Sequence, residues 1–436
     1  MVAPFKPIVL VVLDGLGDLP HPALADKTPL EAAVTPNLDK LAAGAALGRI
    51  SPVREGVAPE SDAGVMGLLG FDPEVESPGR GVLEAMGIRM ELRPGDVALR
   101  FNFATADASG RIIDQRVGRN LTTPEATDLA KALTDADLLK DVGIEAVTAA
   151  TVGHRGVLRL RARDGAPLSA DVTNSDPFYL RVGRAGHAVR PERPAVLPVE
   201  AQASTPEAAR TAQALNLYSQ RVENVLAPHR VNGERLLRGA LVANRLIFRD
   251  AGVRSDTLPT FQQRHGIQGA AVTEMPVERG IALLLGLSDH YVGPMGKDAV
   301  SALNLRAQSV LDELRTPGVG FVYVHLKGPD EPGHDGDAVR KKKIIEDLDN
   351  HFFGPFLKQW DPATTVLAIT ADHSTPCVKK GHSDDPVPLL VSGLVPAPTQ
   401  AGRRYTESDS LQGALGLHRG VELVPFLRTG SWTRAR

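Results

Sequence analysis

A short segment around residue 330 combines acidic, imidazole and glycine residues in a pattern that suits metal binding. Asp330 and His334 are four residues apart, so a single turn of chain brings both side chains to one ion. An apolar run over residues 319–324 precedes the segment. Because ligands of open α/β sheets bind at the carboxyl ends of strands, this segment is expected at the edge of a sheet.

Two other apolar runs are also followed by residues that could bind a metal. Asp372 and His373 come directly after the run over 365–370, and His382 lies nine residues beyond His373. Asp14 ends the first apolar run of the chain. Each of these residues taken alone is explained as well by an ordinary surface loop, but the whole set at strand ends favours one shared site.

The donors in this set are oxygen and nitrogen atoms, without a thiolate. Such ligands suit Mn²⁺, Mg²⁺, Co²⁺ or Zn²⁺ and do not choose sharply among them. Two groups of carboxylate and imidazole residues suggest two ions, which in other proteins lie roughly 3.5–4 Å apart and clamp a transferring phosphoryl group. The pattern thus predicts metal-assisted phosphoryl chemistry.

Ser61, in a glycine-rich loop, is a candidate nucleophile. A serine hydroxyl is a weak nucleophile at neutral pH, and coordination to a divalent cation would favour its alkoxide form. The alternative is a structural role as the N-cap of a helix over 62–69, which the spacing alone favours. Both interpretations remain open at the level of the residues.

Several other reactive residue types are present. Cys377 is expected to be a small buried residue and not a ligand, and the three lysines at 341–343 are expected on a solvated helix face. Some arginines are candidates for binding phosphate or carboxylate, since the guanidinium fork contacts both bidentately. The candidates in the middle of the chain are Arg116, Arg119 and Arg155, together with His154, which precedes Arg155.

The pattern of elements predicts an α/β protein with a parallel sheet. The run Ile8–Leu13 is typical of a strand covered on both faces, and strand-like runs alternate with helical stretches in the second half of the chain. Between about 96 and 190 the pattern changes to short alternating runs. We therefore expect a core formed by 1–95 and 190–436, interrupted by a smaller α+β insertion over 96–189.

Composition excludes several classes of protein. The 436 residues are 42% hydrophobic and 23% charged, so the chain is long and apolar enough to bury a large core. A single cysteine rules out an intramolecular disulfide framework and fits a reducing compartment. The formal net charge of −3 gives no reason to expect nucleic acid binding. The first apolar run is far shorter than the roughly 20 residues of a membrane-spanning helix, so we expect a cytoplasmic protein without a membrane partner.

Long motifs in a fixed order resemble those of archaeal-type cofactor-independent phosphoglycerate mutases, a branch of the alkaline phosphatase superfamily. The resemblance extends over nearly the whole chain. It includes LDGLGDLP at Asp14, PESDAGVMGLLGFDP at Ser61, HLKGPDEPGHDGD at Asp330, and ADHSTPCVKKGHSDDPVPLL at His373. The resemblance implies an alkaline-phosphatase-like core with an inserted cap domain.

The resemblance also implies how the ligands divide between two ions. One ion would be bound by Asp330, His334 and His382. The ligands of the other would be Asp14, Ser61, Asp372 and His373. Mn²⁺ is the favoured metal, with Mg²⁺, Co²⁺ and Zn²⁺ as alternatives.

The implied reaction is the glycolytic interconversion of 3-phosphoglycerate and 2-phosphoglycerate, without 2,3-bisphosphoglycerate, through a phosphoserine at Ser61. Lys327 would offset negative charge on the phosphoryl oxygens. Five residues of the cap would contact the glycerate, namely Asn102, Arg116, Arg119, His154 and Arg155. The oligomeric state is left open.

Two alternatives remain. A related metal-dependent phosphomonoesterase or a homoserine-directed phosphotransferase would share the core and differ in the cap. A metal-binding or metabolite-sensing protein without turnover would typically lack the nucleophile or a ligand, and none is missing here.

Overall fold

The computed structural model describes residues 6–182, 185–189, 191–254, 257–395, 400 and 402–432. The strands are β1 (Ile8–Leu13), β2 (Ala46–Ser51), β3 (Val97–Ala106), β4 (Ile112–Asp114), β5 (Ile144–Ala150), β6 (Arg155–Ala162), β7 (Tyr179–Val182), β8 (Ala185–Ala188), β9 (Arg245–Val253), β10 (Gly269–Thr273), β11 (Ser288–Tyr291), β12 (Phe321–Leu326), β13 (Val366–Thr370), β14 (Val387–Ser392) and β15 (Leu417–Arg419).

The α-helices are α1 (Pro29–Ala32), α2 (Pro36–Ala42), α3 (Ser61–Leu68), α4 (Pro73–Glu76), α5 (Arg80–Gly87), α6 (Thr123–Asp135), α7 (Pro206–Leu226), α8 (Arg230–Leu237), α9 (Phe261–His265), α10 (Pro276–Leu284), α11 (Ala299–Arg315), α12 (Asp330–Asp335), α13 (Ala338–Leu348), α14 (Gly354–Leu357), α15 (Glu407–Leu411) and α16 (Leu423–Thr429). Within the described ranges, none of these helices combines the length and the apolar character needed to cross a bilayer.

The chain forms two compact units, one from residues 1–77 and 259–436 and the other from 78–258. The first unit is built on one sheet with strand order β11-β10-β12-β1-β13-β14-β2-β15. Its strands are parallel except for β14, which runs antiparallel to both neighbours. This mainly parallel sheet with flanking helices confirms the predicted α/β core.

The centre of this sheet is buried on both faces. Every residue of β1, β12 and β13 is buried, as the continuous aliphatic runs predict. Strand β1 pairs in parallel with β12 on one side and β13 on the other. The loops that follow these three strands consequently leave the sheet at the same edge.

The second unit is an antiparallel sheet in which β3 pairs with β4, β6 and β9, and β6 pairs with β5. Side chains alternate along β3, so that Phe101 and Phe103 enter a core shared with α6 and α7. The opposite face of β3 carries Ala98, which packs with Val82 of α5.

This second unit is wider on both sides than the insertion expected over 96–189. Helix α5 precedes the expected boundary, yet its Val82 is buried against the antiparallel sheet. Beyond the other boundary, β9 pairs with β3, and Tyr218 of α7 is buried with Phe248 of β9. The short alternating runs that predicted the insertion cover only the central strands of this unit. Strand β9 was not recognised as part of it, because its sequence resembles the strands of the large sheet.

Candidate metal centre and active site

The candidate site lies at the sheet edge that the sequence predicted. Asp14 follows β1, Lys327 follows β12, and Asp372 with His373 follows β13. The register pairs Leu13 with Leu326 and Val12 with Thr370, so the three strands end at nearly the same level. Side chains that are more than 300 residues apart in sequence are thereby brought together.

A first cluster consists of Asp330, His334 and His382. Asp330 and His334 belong to α12, and His382 lies on the loop between β13 and β14. The Nε2 atoms of the two histidines are 3.2 Å apart, and each is 3.4 Å from Oδ1 of Asp330. Ligand atoms bound at about 2.0–2.1 Å in a tetrahedron are separated by about 3.3 Å, so this triangle fits one divalent ion.

The other ring nitrogen of His382 is already occupied. Its Nδ1 lies 2.8 Å from the carbonyl oxygen of Pro59, an acceptor, so Nδ1 carries the proton and donates it. Nε2 is then the ring atom that faces the first cluster, 3.4 Å from Oδ1 of Asp330. Burial opposes protonation of this ring, but the hydrogen bond with Asp330 and the charge of Glu60 outweigh it and raise the pKa of His382 to about 9.

A second cluster consists of Asp14, Ser61, Asp372 and His373. Oγ of Ser61 lies 3.2 Å from Nε2 of His373 and 3.4 Å from Oδ1 of Asp14. Nε2 of His373 is in turn 3.5 Å from carboxylate oxygens of Asp14 and Asp372. These separations again match neighbouring ligands of a single ion, and all four side chains are buried.

Ser61 occupies the first turn of α3 and is not its N-cap. The N-cap is Glu60, whose side chain makes no capping hydrogen bond. Gly64 brings this helix close to the site, because a Cβ atom at that position would lie 2.1 Å from the carbonyl oxygen of Asp372. The glycine therefore allows α3 to pack directly on the loop after β13, which leaves Ser61 facing the second cluster.

Lys327 contacts the second cluster from one side. Its Nζ lies 3.2 Å from Oδ2 of Asp14 and 2.6 Å from Oε1 of Glu278. Burial opposes the charge on Lys327, but these two carboxylates raise its pKa above the usual value. Burial also works against ionisation of Asp14, whose pKa is nevertheless held well below its usual range by Lys327 and His373.

Two residues of this network were not assigned a role from the sequence. His325, the penultimate residue of β12, lies between Asp372 at 3.2 Å and Glu278 at 3.3 Å. Burial and Lys327 disfavour the charged ring, yet the two carboxylates raise the pKa of His325 to about 10. His325 could have been found from its position at a strand end, whereas Glu278 lies within an apolar helical pattern and gives no local signal.

Two other sequence-based expectations have different outcomes. Cys377 is buried, as predicted, and its Sγ lies 3.2 Å from Oδ2 of Asp18. The prediction of a solvated face was wrong for Lys341, which is buried and forms an ion pair of 2.8 Å with the same carboxylate. Its neighbours Lys342 and Lys343 pair with acidic residues four positions further along α13.

The five predicted glycerate-binding residues all lie in the second unit. Asn102 on β3 is opposite Arg155 on β6 in the register, and its buried Oδ1 has no hydrogen-bond partner within the part of the chain that the structure describes. Burial lowers the pKa of His154 to about 3, together with the charges of Arg155, Arg116, Arg249 and Arg119. This concentration of positive charge is suited to an anion.

Comparison with known proteins agrees with these features. A family model described as 2,3-bisphosphoglycerate-independent phosphoglycerate mutase matches residues 42–232. The chain is 41% identical to a protein of that name from Aeropyrum pernix, over 96% of this chain and 98% of the relative. It is 38% identical to the protein of the same name from Methanopyrus kandleri, over 97% of this chain and 96% of the relative.

Two solved structures share the fold. The cofactor-independent phosphoglycerate mutase from Thermoplasma acidophilum superimposes with a TM-score of 0.63 at 30% identity, over 97% of this chain and 98% of that one. A Pyrococcus horikoshii protein, PH0037, gives a TM-score of 0.77 at 27% identity, over 99% and 100% of the two chains. Fold and sequence thus define an α/β enzyme of the cofactor-independent phosphoglycerate mutase type. The chain belongs to the 2,3-bisphosphoglycerate-independent phosphoglycerate mutase family.

Proposed function

We infer that this chain interconverts 3-phosphoglycerate and 2-phosphoglycerate without 2,3-bisphosphoglycerate, by way of a phosphate held transiently on Ser61. Family membership supports the substrate and the reaction. The observation that carries the proposed chemistry is the location of Ser61, whose buried Oγ is within 3.4 Å of both Asp14 and His373.

The proposal includes two divalent ions. Asp330, His334 and His382 would hold one, and the second cluster of Asp14, Ser61, Asp372 and His373 would hold the other. The triangular donor arrangement and the oxygen and nitrogen ligands support this division. Mn²⁺ is the favoured metal, with Mg²⁺, Co²⁺ and Zn²⁺ as alternatives. When bound, such ions act as Lewis acids, which lower the pKa of a coordinated hydroxyl and offset charge on phosphoryl oxygens.

Ser61 acts as nucleophile and then as leaving group. Its Oγ loses a proton and attacks phosphorus, the bond from phosphorus to the glycerate oxygen breaks, and that oxygen takes up a proton. The other glycerate hydroxyl then loses its proton and attacks the phosphoserine, the bond from phosphorus to Oγ breaks, and Oγ takes up a proton. Lys327 stays charged throughout, since Asp14 and Glu278 favour its ammonium form, and it offsets negative charge beside Ser61.

Retention of glycerate between the two transfers is assigned to the second unit. We propose that Asn102, Arg116, Arg119, His154 and Arg155 bind it. The unpartnered Oδ1 of Asn102 accepts a hydroxyl hydrogen, and the arginines near His154 bind the carboxylate. Water must be excluded at this stage, because its attack on the phosphoserine would release free phosphate. The cytoplasmic location inferred from the sequence stays a prediction.

The test is an enolase-coupled assay with 3-phosphoglycerate, run beside a free-phosphate assay on one Mn²⁺-loaded preparation. We expect 2-phosphoglycerate to form much faster than phosphate is released. Folded, metal-loaded protein without mutase activity would contradict the proposal. Faster release of phosphate would instead indicate a phosphomonoesterase, and activity that requires homoserine as acceptor would indicate a phosphotransferase.

A further inference from the structure

A single buried hydroxyl, that of Thr375, connects the two candidate metal clusters. Thr375 lies two residues after His373 and is completely buried. Its Oγ1 lies 2.9 Å from Nδ1 of His373, a residue of the second cluster. The same oxygen donates a hydrogen bond of 2.7 Å to Oδ1 of Asp330, which belongs to the first cluster.

The two hydrogen bonds determine which nitrogen of His373 carries a proton. A threonine hydroxyl has one hydrogen, and Thr375 donates it to the carboxylate of Asp330. The contact with His373 must then be donated by the imidazole, from Nδ1. The lone pair of Nε2 is left facing Oγ of Ser61 at 3.2 Å, as metal ligation through Nε2 requires.

The backbone of Thr375 is held firmly. Its N–H donates to the carbonyl oxygen of Gly17 at 2.9 Å, and its own carbonyl oxygen accepts from Nζ of the buried Lys341 at 3.0 Å. Lys341 also donates to the carbonyl oxygen of Gly17 at 3.2 Å. A charged side chain from α13 thus fixes the peptide that carries the bridging hydroxyl.

Two glycines leave just enough space for the Thr375 side chain. A Cβ atom at Gly15 would lie 2.7 Å from Oγ1, and one at Gly333 would lie 2.8 Å from Cγ2. The hydroxyl and the methyl group are therefore each enclosed by backbone. A side chain at either glycine position would displace the Thr375 hydroxyl or methyl group.

We propose that Thr375 is a positioning residue that couples the two metal sites, by orienting Asp330 in one and His373 in the other through one hydroxyl group. This inference rests on the proposed two-metal function. Outer-shell partners of metal ligands typically contribute 10- to 100-fold to metal affinity. Here a single hydroxyl serves a ligand in each cluster, so its loss weakens both sites.

The test compares two pairs of variants that differ only in the hydroxyl. Thr375→Val removes the hydroxyl from an isosteric side chain, and Thr375→Ala differs from Thr375→Ser by one oxygen atom. Mn²⁺ affinity and stoichiometry are measured by calorimetric titration of the metal-free full chain. We expect two ions per chain for the wild type and Thr375→Ser, and roughly 10- to 100-fold weaker binding at both sites for Thr375→Val and Thr375→Ala.

Thr370→Val is the matched control. Thr370 is also buried, and its hydroxyl donates to the carbonyl oxygen of Pro388 at 2.9 Å, outside both clusters. This variant is expected to lose thermal stability without a change in Mn²⁺ affinity. If Thr375→Val does not fold, the Ser and Ala variants decide the question.

Equal Mn²⁺ affinity in all variants at residue 375, or loss at one site alone, would overturn the coupling. The proposed function would survive that result, because mutase activity of the wild type is measured separately. Conversely, a wild type that binds two ions but lacks mutase activity would refute the proposed function. The role of Thr375 in metal binding would still be decided by the variants.

Discussion

At the scale of single residues, the proposed chemistry depends on the surroundings of Ser61. A serine hydroxyl in water is a weak nucleophile, whereas here it lies among two carboxylates and an imidazole at the start of α3. The separations of about 3.2–3.5 Å between these oxygen and nitrogen atoms are those of neighbouring ligands of one ion, which supports the proposed divalent cation there.

Ser61→Ala is therefore expected to lower mutase activity by about 10³-fold or more while the chain remains folded. Intact mass after brief exposure to 3-phosphoglycerate should reveal a phosphoryl adduct in the wild type and none in the variant. Ser301→Ala, which changes an exposed serine in the first turn of α11, is the control and should keep both activity and adduct. An adduct that persists in Ser61→Ala would assign the nucleophile to another residue.

Arg155→Ala tests binding of the glycerate by the second unit. Loss of a charged hydrogen-bond donor to a carboxylate should raise KM about 10- to 100-fold. A larger share of the phosphate should also be released to water, because glycerate is held less tightly between the two transfers. Arg163→Ala removes an arginine of the same unit that pairs with Asp137 at the surface, and its kinetics should match the wild type. Unchanged kinetics for Arg155→Ala would refute its role.

At the scale of elements, the site is supported by helices that pack behind the strand ends. Lys341 of α13 reaches the loops after β1 and β13, where it pairs with Asp18 and donates to two carbonyl oxygens. Removal of one partner from a buried ion pair leaves the other charge uncompensated, at a cost of about 3–5 kcal/mol. This helix therefore stabilises the backbone on which several proposed ligands are carried.

Lys341→Met should lower the free energy of unfolding by about 3–5 kcal/mol in urea titrations of the metal-free chain. Lys343→Met, on the same helix, removes an exposed lysine that pairs with Asp347, and should change stability by no more than about 0.5 kcal/mol. Equal stabilities of the two variants would mean that the buried pair contributes nothing beyond a surface pair.

Helix α15 gives a pH-dependent contribution to stability. Burial raises the pKa of Glu407 from 4.5 to about 7, although Thr28 donates a hydrogen bond of 2.7 Å to the carboxylate. Between these two values the folded chain keeps a proton that the unfolded chain has lost, so this group favours folding less and less as the pH rises from 4.5 to 7.

Glu407→Gln should remove that dependence. The difference in Tm between the variant and the wild type should grow in favour of the variant from pH 5 to pH 8, on the order of a few degrees. Glu55→Gln, at an exposed position, serves as the control and should give a constant difference. A constant difference for Glu407→Gln as well would show that Glu407 keeps an ordinary pKa.

At the scale of the whole molecule, metal binding, folding and pH are linked. Protonation of His382 is favoured in the metal-free chain, with a pKa of about 9, because Asp330 and Glu60 outweigh the effect of burial. An imidazole that binds a metal must be neutral. Binding of a divalent ion to the first cluster below pH 9 therefore releases a proton from His382.

The apparent Mn²⁺ affinity of this cluster should consequently rise about tenfold per pH unit between pH 6 and 8. Calorimetric titrations in buffers of different ionisation enthalpy would count the released protons. The Tm should rise on addition of Mn²⁺ and fall again with a chelator, more strongly at pH 8 than at pH 6. An affinity independent of pH would show that His382 is already neutral in the metal-free chain.

The sequence by itself determined the class of fold and the edge of the sheet at which the chemistry lies. Continuous aliphatic runs that end in Asp14 or in Asp372 and His373 have a simple cause, since strands buried on both faces must be apolar until they leave the core. The long motifs also identified the family, which the full-length relatives confirm. Such features are local, so spacing along the chain is sufficient to reveal them.

Only the tertiary structure decided which distant residues meet. Spacing alone does not place His382, nine residues from His373, beside Asp330 and His334. The resemblance implied this grouping, and the structure gives its cause, because the loop after β13 folds back towards α12. The tertiary structure also decided that Lys341 and Glu278 are buried. It likewise set the extent of the second unit, which spans 78–258. Strand order and helix packing join segments hundreds of residues apart, and a local pattern contains no information about the partner that a side chain meets across the sheet edge.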